Sequence, residues 1–317
     1  MNKGNIIDYK LFTGNAHPEL AQEIAGILGK PLAKATVKKF SDGEVFTCLE
    51  ETVRGYDCFI IQPTCGPVND NLMEICVMID AMKRSSAARI NVVMPYYGYA
   101  RQDRQAHPRE PITSKIVADI LTSVGADRVI TMDLHAAQIT GYYNIPVDHL
   151  YGMPVLADYF LKNPVDDLVI VSPDHGSVGR ARKFAHYFDA PIAIIDKRRP
   201  KPNVSEVMNI IGDIKGKNCI MIDDMVDTAG TLCNAAAALV KMGAKSVRAC
   251  ATHGVLSGPA IERLKDSVIE ELVILNTMPV PEEKRIDKIK VLSVAPLFAD
   301  CIKRVYNNEP VSPIIAE

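Results

Sequence analysis

No stretch of this 317-residue chain reaches the ~20 consecutive apolar residues that a membrane-spanning helix needs. The opening residues, MNKGNIIDYK, lack the apolar core of a signal peptide, so a cytoplasmic protein with no membrane partner is expected. Neither sign of charge is in excess: 36 Lys and Arg face 38 Asp and Glu, a net charge of −2. Bulk nucleic-acid binding wants a basic surface, so no nucleic-acid partner is expected and any anion site must be local. There is no CxxC pair. The eight cysteines stand singly at 48, 58, 65, 76, 219, 233, 250 and 301, several in apolar runs, and read as reduced core residues rather than disulfides or zinc ligands. What remains, 48% hydrophobic and 23% charged residues, describes a soluble globular chain with room for two domains.

The chain is organised around Cys219 to Thr231, CIMIDDMVDTAGT. Cys219 to Ile222 has the bulk of a buried strand, and Asp223 and Asp224 follow at its end. Asp227, Thr228, Ala229, Gly230 and Thr231 then lead into an Ala-rich helix closed by Gly243. A helix start offers unpaired backbone N–H groups and a positive dipole end, and small residues let a phosphate approach them. Residues 227 to 231 therefore read as an anion cradle. Ionised carboxylates only accept hydrogen bonds, so the acidic pair suits sugar hydroxyls, and together the two features match a pentose 5-phosphate. The plainer alternative has Asp223 capping a turn and Thr228 or Thr231 capping the helix. The stretch is neither G-x-x-x-x-G-K-[ST] nor G-x-G-x-x-G.

Along the chain, strands are expected at Lys10 to Thr13, Thr36 to Phe40, Cys58 to Ile61, Ile90 to Met94 and Val129 to Leu134, with helices at Pro18 to Leu28 and Lys115 to Val124. Strands alternating with helices argue for a mainly parallel α/β sheet. The second half repeats the pattern. Gly125, Ala126, Val129 and His135 recur at equal spacing as Gly243, Ala244, Val247 and His253, and Asp57, Ile60, Pro63 and Gly66 recur as Asp167, Ile170, Pro173 and Gly176. Two similar α/β domains, residues 1–148 and 149–317, are therefore expected, with the sites off the C-terminal strand ends.

Several further residues can do chemistry. Asp133 and His135, two apart at a strand end, should share a face, and Asp174-His175-Gly176 ends a strand in the other half. A His and an Asp from such ends could hold Mg²⁺ beside phosphates, although a lone His at a strand end is more often structural. Lys197-Arg198-Arg199-Pro200 follows the strand Pro191 to Asp196 and reads as a basic loop able to neutralise a polyphosphate in a transition state. Arg101 suits nucleotide phosphates and Gln102 an adenine edge, or both belong to a surface salt-bridge cluster. Phe40, beside Asp42 and Glu44, could stack on a purine, or lie in the core.

Six ordered segments carry a resemblance: KFSDGE (39–44), PYYGYARQDR (95–104), DLHAAQI (133–139), VSPDHG (171–176), IAIIDKRRP (192–200) and IMIDDMVDTAGT (220–231). Together they resemble the bacterial class I ribose-phosphate pyrophosphokinases. The resemblance implies two phosphoribosyltransferase-type I domains. It also implies Mg²⁺-dependent transfer of the diphosphoryl group of ATP to O1 of ribose 5-phosphate, giving PRPP and AMP, a product that feeds purine, pyrimidine, NAD, histidine and tryptophan synthesis. It implies ATP against Phe40, Asp42, Gly43 and Glu44 from a neighbouring subunit, and against Arg101 and Gln102. Metal falls to His135 and Asp174, catalysis to Lys197 and Arg199, and ribose 5-phosphate to Arg199, Asp223, Asp224 and Asp227 to Thr231. A homohexamer is implied, as is a C-terminal helix, about 303–317 and beginning from Pro296, that returns to the first domain. The chain departs from the pattern at Ser177, where a second Gly is common, at Gly254, where Pro is often found, and in the less basic Gln105-Ala106-His107-Pro108. A phosphoribosyltransferase that consumes PRPP and a non-catalytic regulatory homologue are the competing readings. The paired domains, the RQDR and KRRP segments and the retained Lys197, Arg199, His135 and Asp174 count against them.

Overall fold

The computed structural model describes residues 6–198 and 207–315. The chain divides into two compact units, Met1–Tyr151 with Thr277–Pro279 and Ser293–Ala316, and Gly152–Asn276 with Val280–Leu292.

In the first unit the strands are β1 (Tyr9–Thr13), β2 (Ala35–Lys39), β3 (Val45–Leu49), β4 (Asp57–Ile61), β5 (Arg89–Met94), β6 (Arg128–Met132) and β7 (Val147–Leu150). Five of them form a wholly parallel sheet in the order β1-β4-β5-β6-β7, while β2 and β3 make a separate antiparallel hairpin. Every residue of β4, DCFII, is buried, as expected of a parallel strand with both faces covered. Its helices α1 (Pro18–Leu28), α2 (Val68–Arg84) and α3 (Thr113–Val124) supply the covering. In α1, Pro18 starts the helix, Gly29 closes it at φ 64°, and Leu20, Ala21, Ile24 and Ala25 form the buried stripe. Cys58, Ile60, Ile79, Val92 and Val129 meet in one core; removing a side chain such as Ile60 to Ala would cost about 2–5 kcal/mol.

The second unit holds β8 (Leu168–Ser172), β9 (Ile192–Arg198), β10 (Val207–Ile211), β11 (Asn218–Val226), β12 (Ser246–Gly254), β13 (Leu272–Leu275) and β14 (Ile289–Leu292). Their order is β10-β9-β8-β11-β12-β13-β14, parallel except for the β9–β10 pair. The helices are α4 (Met153–Lys162), α5 (Val178–His186), α6 (Gly230–Lys241) and α7 (Ala260–Asp266), and Val169, Met221, Leu239, Val247 and Ala249 share a core. The chain then returns to the first unit, where α8 (Ala295–Asn307) buries Phe298, Ile302 and Val305, and Tyr306 lies with its ring centroid 4.6 Å from that of Tyr9.

Three local expectations need correction. The strand carrying the acidic pair does not stop at Ile222: β11 runs to Val226, because pairing with β12 continues through Asp223↔Ala251 and Met225↔His253. Lys197 and Arg198 are not loop residues. Their backbones extend β9, held by an antiparallel partner, β10, that hydrophobic pattern does not reveal. Finally, β6 ends at Met132 and Asp133 adopts φ 37°, so strand alternation no longer applies; Asp133 is buried while His135 is exposed, and they do not share a face. Six of the eight cysteines are buried, all eight are free, and Cys48 is the exposed one. Burial pushes the Cys58 thiol up to about 12, which makes it chemically quiet.

Candidate active site

In the second unit β11 delivers the acidic pair and the loop behind it delivers the helix start. Asp224 is 7% exposed and Asp223 partly buried. The Asp223 carboxylate accepts from the Asp224 N–H at 2.9 Å and from Ser177 Oγ at 3.3 Å. Burial first, then the charge of Asp224 and a hydrogen bond to its carboxyl, then Asp174, push the Asp223 carboxyl up to about 7. The site thus holds negative charge under strain, ready for hydroxyl donors or cations to relieve it.

Asp174 lies in the turn after β8. Its Oδ1 accepts from the Ser177 N–H at 2.9 Å and its carbonyl from Ser172 Oγ at 2.7 Å. Ser177, at the start of α5, therefore touches both Asp174 and Asp223, a role that its position as a departure from the family pattern does not by itself disclose. His175 turns to Asp196, with Nε2 and Oδ1 2.9 Å apart.

The loop from Asp227 to Thr231 is fixed by distant residues. Ser257 Oγ donates to Asp227 Oδ1 and the Ser257 N–H to the Asp227 carbonyl at 3.0 Å, while Arg263 Nη1 donates to the Thr228 carbonyl at 3.0 Å. Ala229 precedes α6 at φ 57°, a left-handed conformation uncommon for a residue with a Cβ and typical of functional loops. Its N-cap residue, Ala229, has no side-chain oxygen with which to cap the helix. Thr228 and Thr231 are exposed and do not close the end, so the plainer capping reading of the loop fails. A Cβ on Gly230 would lie 2.9 Å from Arg263 Nη1, so glycine is what lets the guanidinium reach the loop. Ser257 and Arg263 were not legible as site residues, since each acts 30 or more positions away in sequence.

In the first unit Phe40, Ser41, Asp42, Gly43 and Glu44 form the exposed tip of the β2–β3 hairpin, not a strand end of the parallel sheet. The tip closes with Phe40 N–H to the Glu44 carbonyl at 2.8 Å and Glu44 N–H to Asp42 Oδ1 at 3.1 Å, with Gly43 at φ 96°. Phe40 is 49% exposed, tilted against Phe46 at 5.4 Å, and is not a core residue. Arg101 and Gln102 lie exposed after β5. Gln102 is held at the start of α3, where its carbonyl accepts from the Ser114 N–H at 3.2 Å and its Oε1 from Thr113 Oγ1. The hairpin and this segment are tied to the same turn of α2. Lys39 Nζ meets Asp70 at 2.5 Å, and Tyr99 OH donates to Asn69 Oδ1. Asn69 and Asp70 escaped sequence reasoning, their one signal being a polar pair at a helix start. His135 follows β6 in this unit, and Arg199 lies outside the described residues.

Two family models match the chain, the N-terminal domain of ribose phosphate pyrophosphokinase over residues 9–125 and the phosphoribosyl synthetase-associated domain over 197–315. The chain is 65% identical over 311 residues to the ribose-phosphate pyrophosphokinase of Clostridium perfringens (strain 13 / Type A), covering 97% of this chain and 98% of the relative. It belongs to the ribose-phosphate pyrophosphokinase family. The similarly named protein of Bacillus subtilis (strain 168) is 59% identical over 303 residues, 96% of each chain. Among solved structures, phosphoribosylpyrophosphate synthetase from Mycobacterium smegmatis superposes with a TM-score of 0.91 at 44% identity, covering 95% of this chain and 99% of that one. The α/β fold is accordingly that of two similar phosphoribosyltransferase-type domains, each a mainly parallel sheet flanked by helices.

Proposed function

We propose that this family member transfers the diphosphoryl group of ATP to O1 of ribose 5-phosphate, yielding PRPP and AMP, with the sugar phosphate seated on residues 223–231. The family is one of transferases, and this chain is an enzyme of that class. The carrying observation is the uncapped start of α6, one short loop beyond Asp223 and Asp224. Backbone N–H groups of Gly230 and Thr231 bind the 5-phosphate, with Asp227, Thr228 and Ala229 shaping the loop. Asp223 and Asp224 accept from ribose hydroxyls.

The nucleotide belongs to the 1–148 part, where Phe40 stacks on adenine, Asp42, Gly43 and Glu44 hydrogen-bond its edge, and Arg101 and Gln102 meet the rest of the nucleotide. The sugar phosphate belongs to the 149–317 part. Lys197 and Arg199 supply positive charge where it is needed as AMP departs. No protein nucleophile is required, because phosphoryl-type transfer asks mainly for positioning and neutralisation.

Enzymes of this kind generally need a metal, and Mg²⁺ is the proposed cofactor, with Asp174 as its position in one unit and His135 in the other. The donors fit: Asp174 offers hard carboxylate oxygens, its charge adds to that pressing on Asp223, and among the described residues no three His, Cys, Asp or Glu converge into a cage. Mg²⁺ is usually held by one or two carboxylates plus substrate phosphates, and when bound it neutralises and orients those phosphates. A homohexamer with an ATP site shared between subunits, working in the cytoplasm, completes the reading. Among the described residues no helix is long and apolar enough to cross a membrane. Incubation with ATP, Mg²⁺ and ribose 5-phosphate should release AMP together with a pyrophosphorylated sugar; ADP instead of AMP, or no turnover, rejects the assignment.

A further inference from the structure

We infer that His175 and Asp196 form a positioning strut that fixes the end of β9, and with it Lys197, against the turn that carries Asp174; the inference rests on the catalytic reading of Lys197. The register of the sheet shows why a strut is needed. β8 pairs with β9 only through Ile170↔Ile192, Val171↔Ala193 and Ser172↔Ile194, and then β8 ends. β9 continues to Arg198 with ladder support from β10 alone, through Asn209↔Asp196 and Met208↔Lys197. On the side that β8 has left, the chain from Pro173 to Ser177 runs past, and His175 Nε2 meets Asp196 Oδ1 at 2.9 Å.

The two partners differ in burial. The Asp196 side chain is 11% exposed, so its carboxylate needs hydrogen-bonding partners, whereas His175 is 63% exposed. A ring that exposed gains little from burial, so its placement is decided by the contact with Asp196 rather than by the core. The neighbours of the pair give it consequence. His175 directly follows Asp174, whose Oδ1 is bound by the Ser177 N–H, and Ser177 Oγ reaches Asp223. Asp196 directly precedes Lys197 in β9. One four-residue turn therefore grips the sugar-binding strand through Ser177 and the lysine-bearing strand through His175. Neither His175 nor Asp196 is assigned a contact with substrate; the pair acts by setting where the next residue in each segment stands.

The test uses steady-state kinetics of the full-length enzyme, varying ATP and ribose 5-phosphate separately, with thermal melts in parallel. His175→Ala should lower kcat by ~10-fold, with KM for both substrates within about twofold and little change in Tm, because geometry in the transition state is lost while ground-state binding is kept. His175→Gln, whose amide can still donate to Asp196, should recover most of that loss, and Asp196→Ala combined with His175→Ala should be no worse than either alone. Undiminished kcat in His175→Ala, a KM rise that accounts for the whole effect, or failure of Gln to rescue overturns the strut. Lys197→Ala is run beside them. If it keeps full turnover, the catalytic reading of Lys197 fails and the strut with it, whereas a crippled Lys197→Ala beside a normal His175→Ala refutes the strut alone.

Discussion

Replacing Asp223 by Asn separates what the acidic pair does for the sugar from what it does to the fold. The Asp223 carboxyl is pushed up to about 7 by burial and by Asp224, against about 3.9 for an unfolded chain. The folded state therefore holds a proton that the unfolded state has already released. As pH rises from about 4 to about 7, the unfolded state ionises first and wild-type stability falls; below pH 4 both states are protonated, and above 7 the loss is complete. Three pH units correspond to at most about 4 kcal/mol, and sharing of the proton with Asp224 reduces the working figure to ~2 kcal/mol. Asp223→Asn removes this penalty. Its Oδ1 still accepts from Ser177 Oγ, so the local structure is kept. At pH 8 the variant should melt higher by about 4–8 °C, and the difference from wild type should vanish towards pH 4.

Function should move the other way. A hydroxyl donating to a charged acceptor contributes about 1.5–3 kcal/mol, so kcat/KM for ribose 5-phosphate should fall roughly 10- to 150-fold, with KM for ATP changed far less. The assays are melts in chelator across pH 4 to 8 and AMP release with each substrate varied. A variant that keeps the wild-type dependence of Tm on pH, or that loses ATP and ribose 5-phosphate use equally, would refute the placement of charge and sugar alike.

Thr228→Ala should raise KM for ribose 5-phosphate several-fold and leave Tm unchanged, since Thr228 is exposed and caps nothing; a Tm drop typical of a lost cap, about 1 kcal/mol in stability, would restore the capping role. Gly98→Ala places a Cβ 2.4 Å from the Thr64 carbonyl and 2.8 Å from Val68 Cγ1, and the backbone atom cannot yield, so the urea midpoint should fall by the equivalent of about 3 kcal/mol or more. Asp57→Ala strips a fully buried carboxylate from Arg89 and from Asn91, whose Nδ2 lies 2.5 Å away; the expected cost is about 3–5 kcal/mol in a denaturant titration, and a loss under 1 kcal/mol would show the pair to be dispensable.

Much of this architecture can be read from the chain because parallel strands advertise themselves. CIMI and CFII are short, continuous apolar runs, α1 begins at Pro18 and closes at Gly29, and Gly243 follows α6. The short connection before the Ala-rich α6 was legible too, in the small residues that follow β11. What pairing decides is not written locally. β10 exists through its register with β9, β11 reaches Val226 because β12 continues beside it, and the positive φ of Asp133 ends β6 before His135. The polar ties are the hardest to foresee. Ser177 to Asp223, Arg263 to Thr228 and Lys39 to Asp70 span 46, 35 and 31 positions, and nothing in their own neighbourhoods marks them.

The duplication also explains why the proposed anion cradle falls in one copy. In the first unit Cys58 pairs with Ile90 between β4 and β5, and in the second Leu168 pairs with Asn218 between β8 and β11, so β5 and β11 hold the same place in their sheets. Only three residues, 227 to 229, separate β11 from α6, which sets the helix's bare N–H groups directly beyond the acidic pair. Residues 95 to 112 separate β5 from α3, and that length carries the helix start away from the strand end. The same loop carries Tyr99 onto Asn69 and Gln102 onto Thr113 and Ser114. A dipole end acts over about one helical turn, so loop length separates the two proposed roles: the short connection suits a sugar phosphate and the long one can shape itself to a nucleotide.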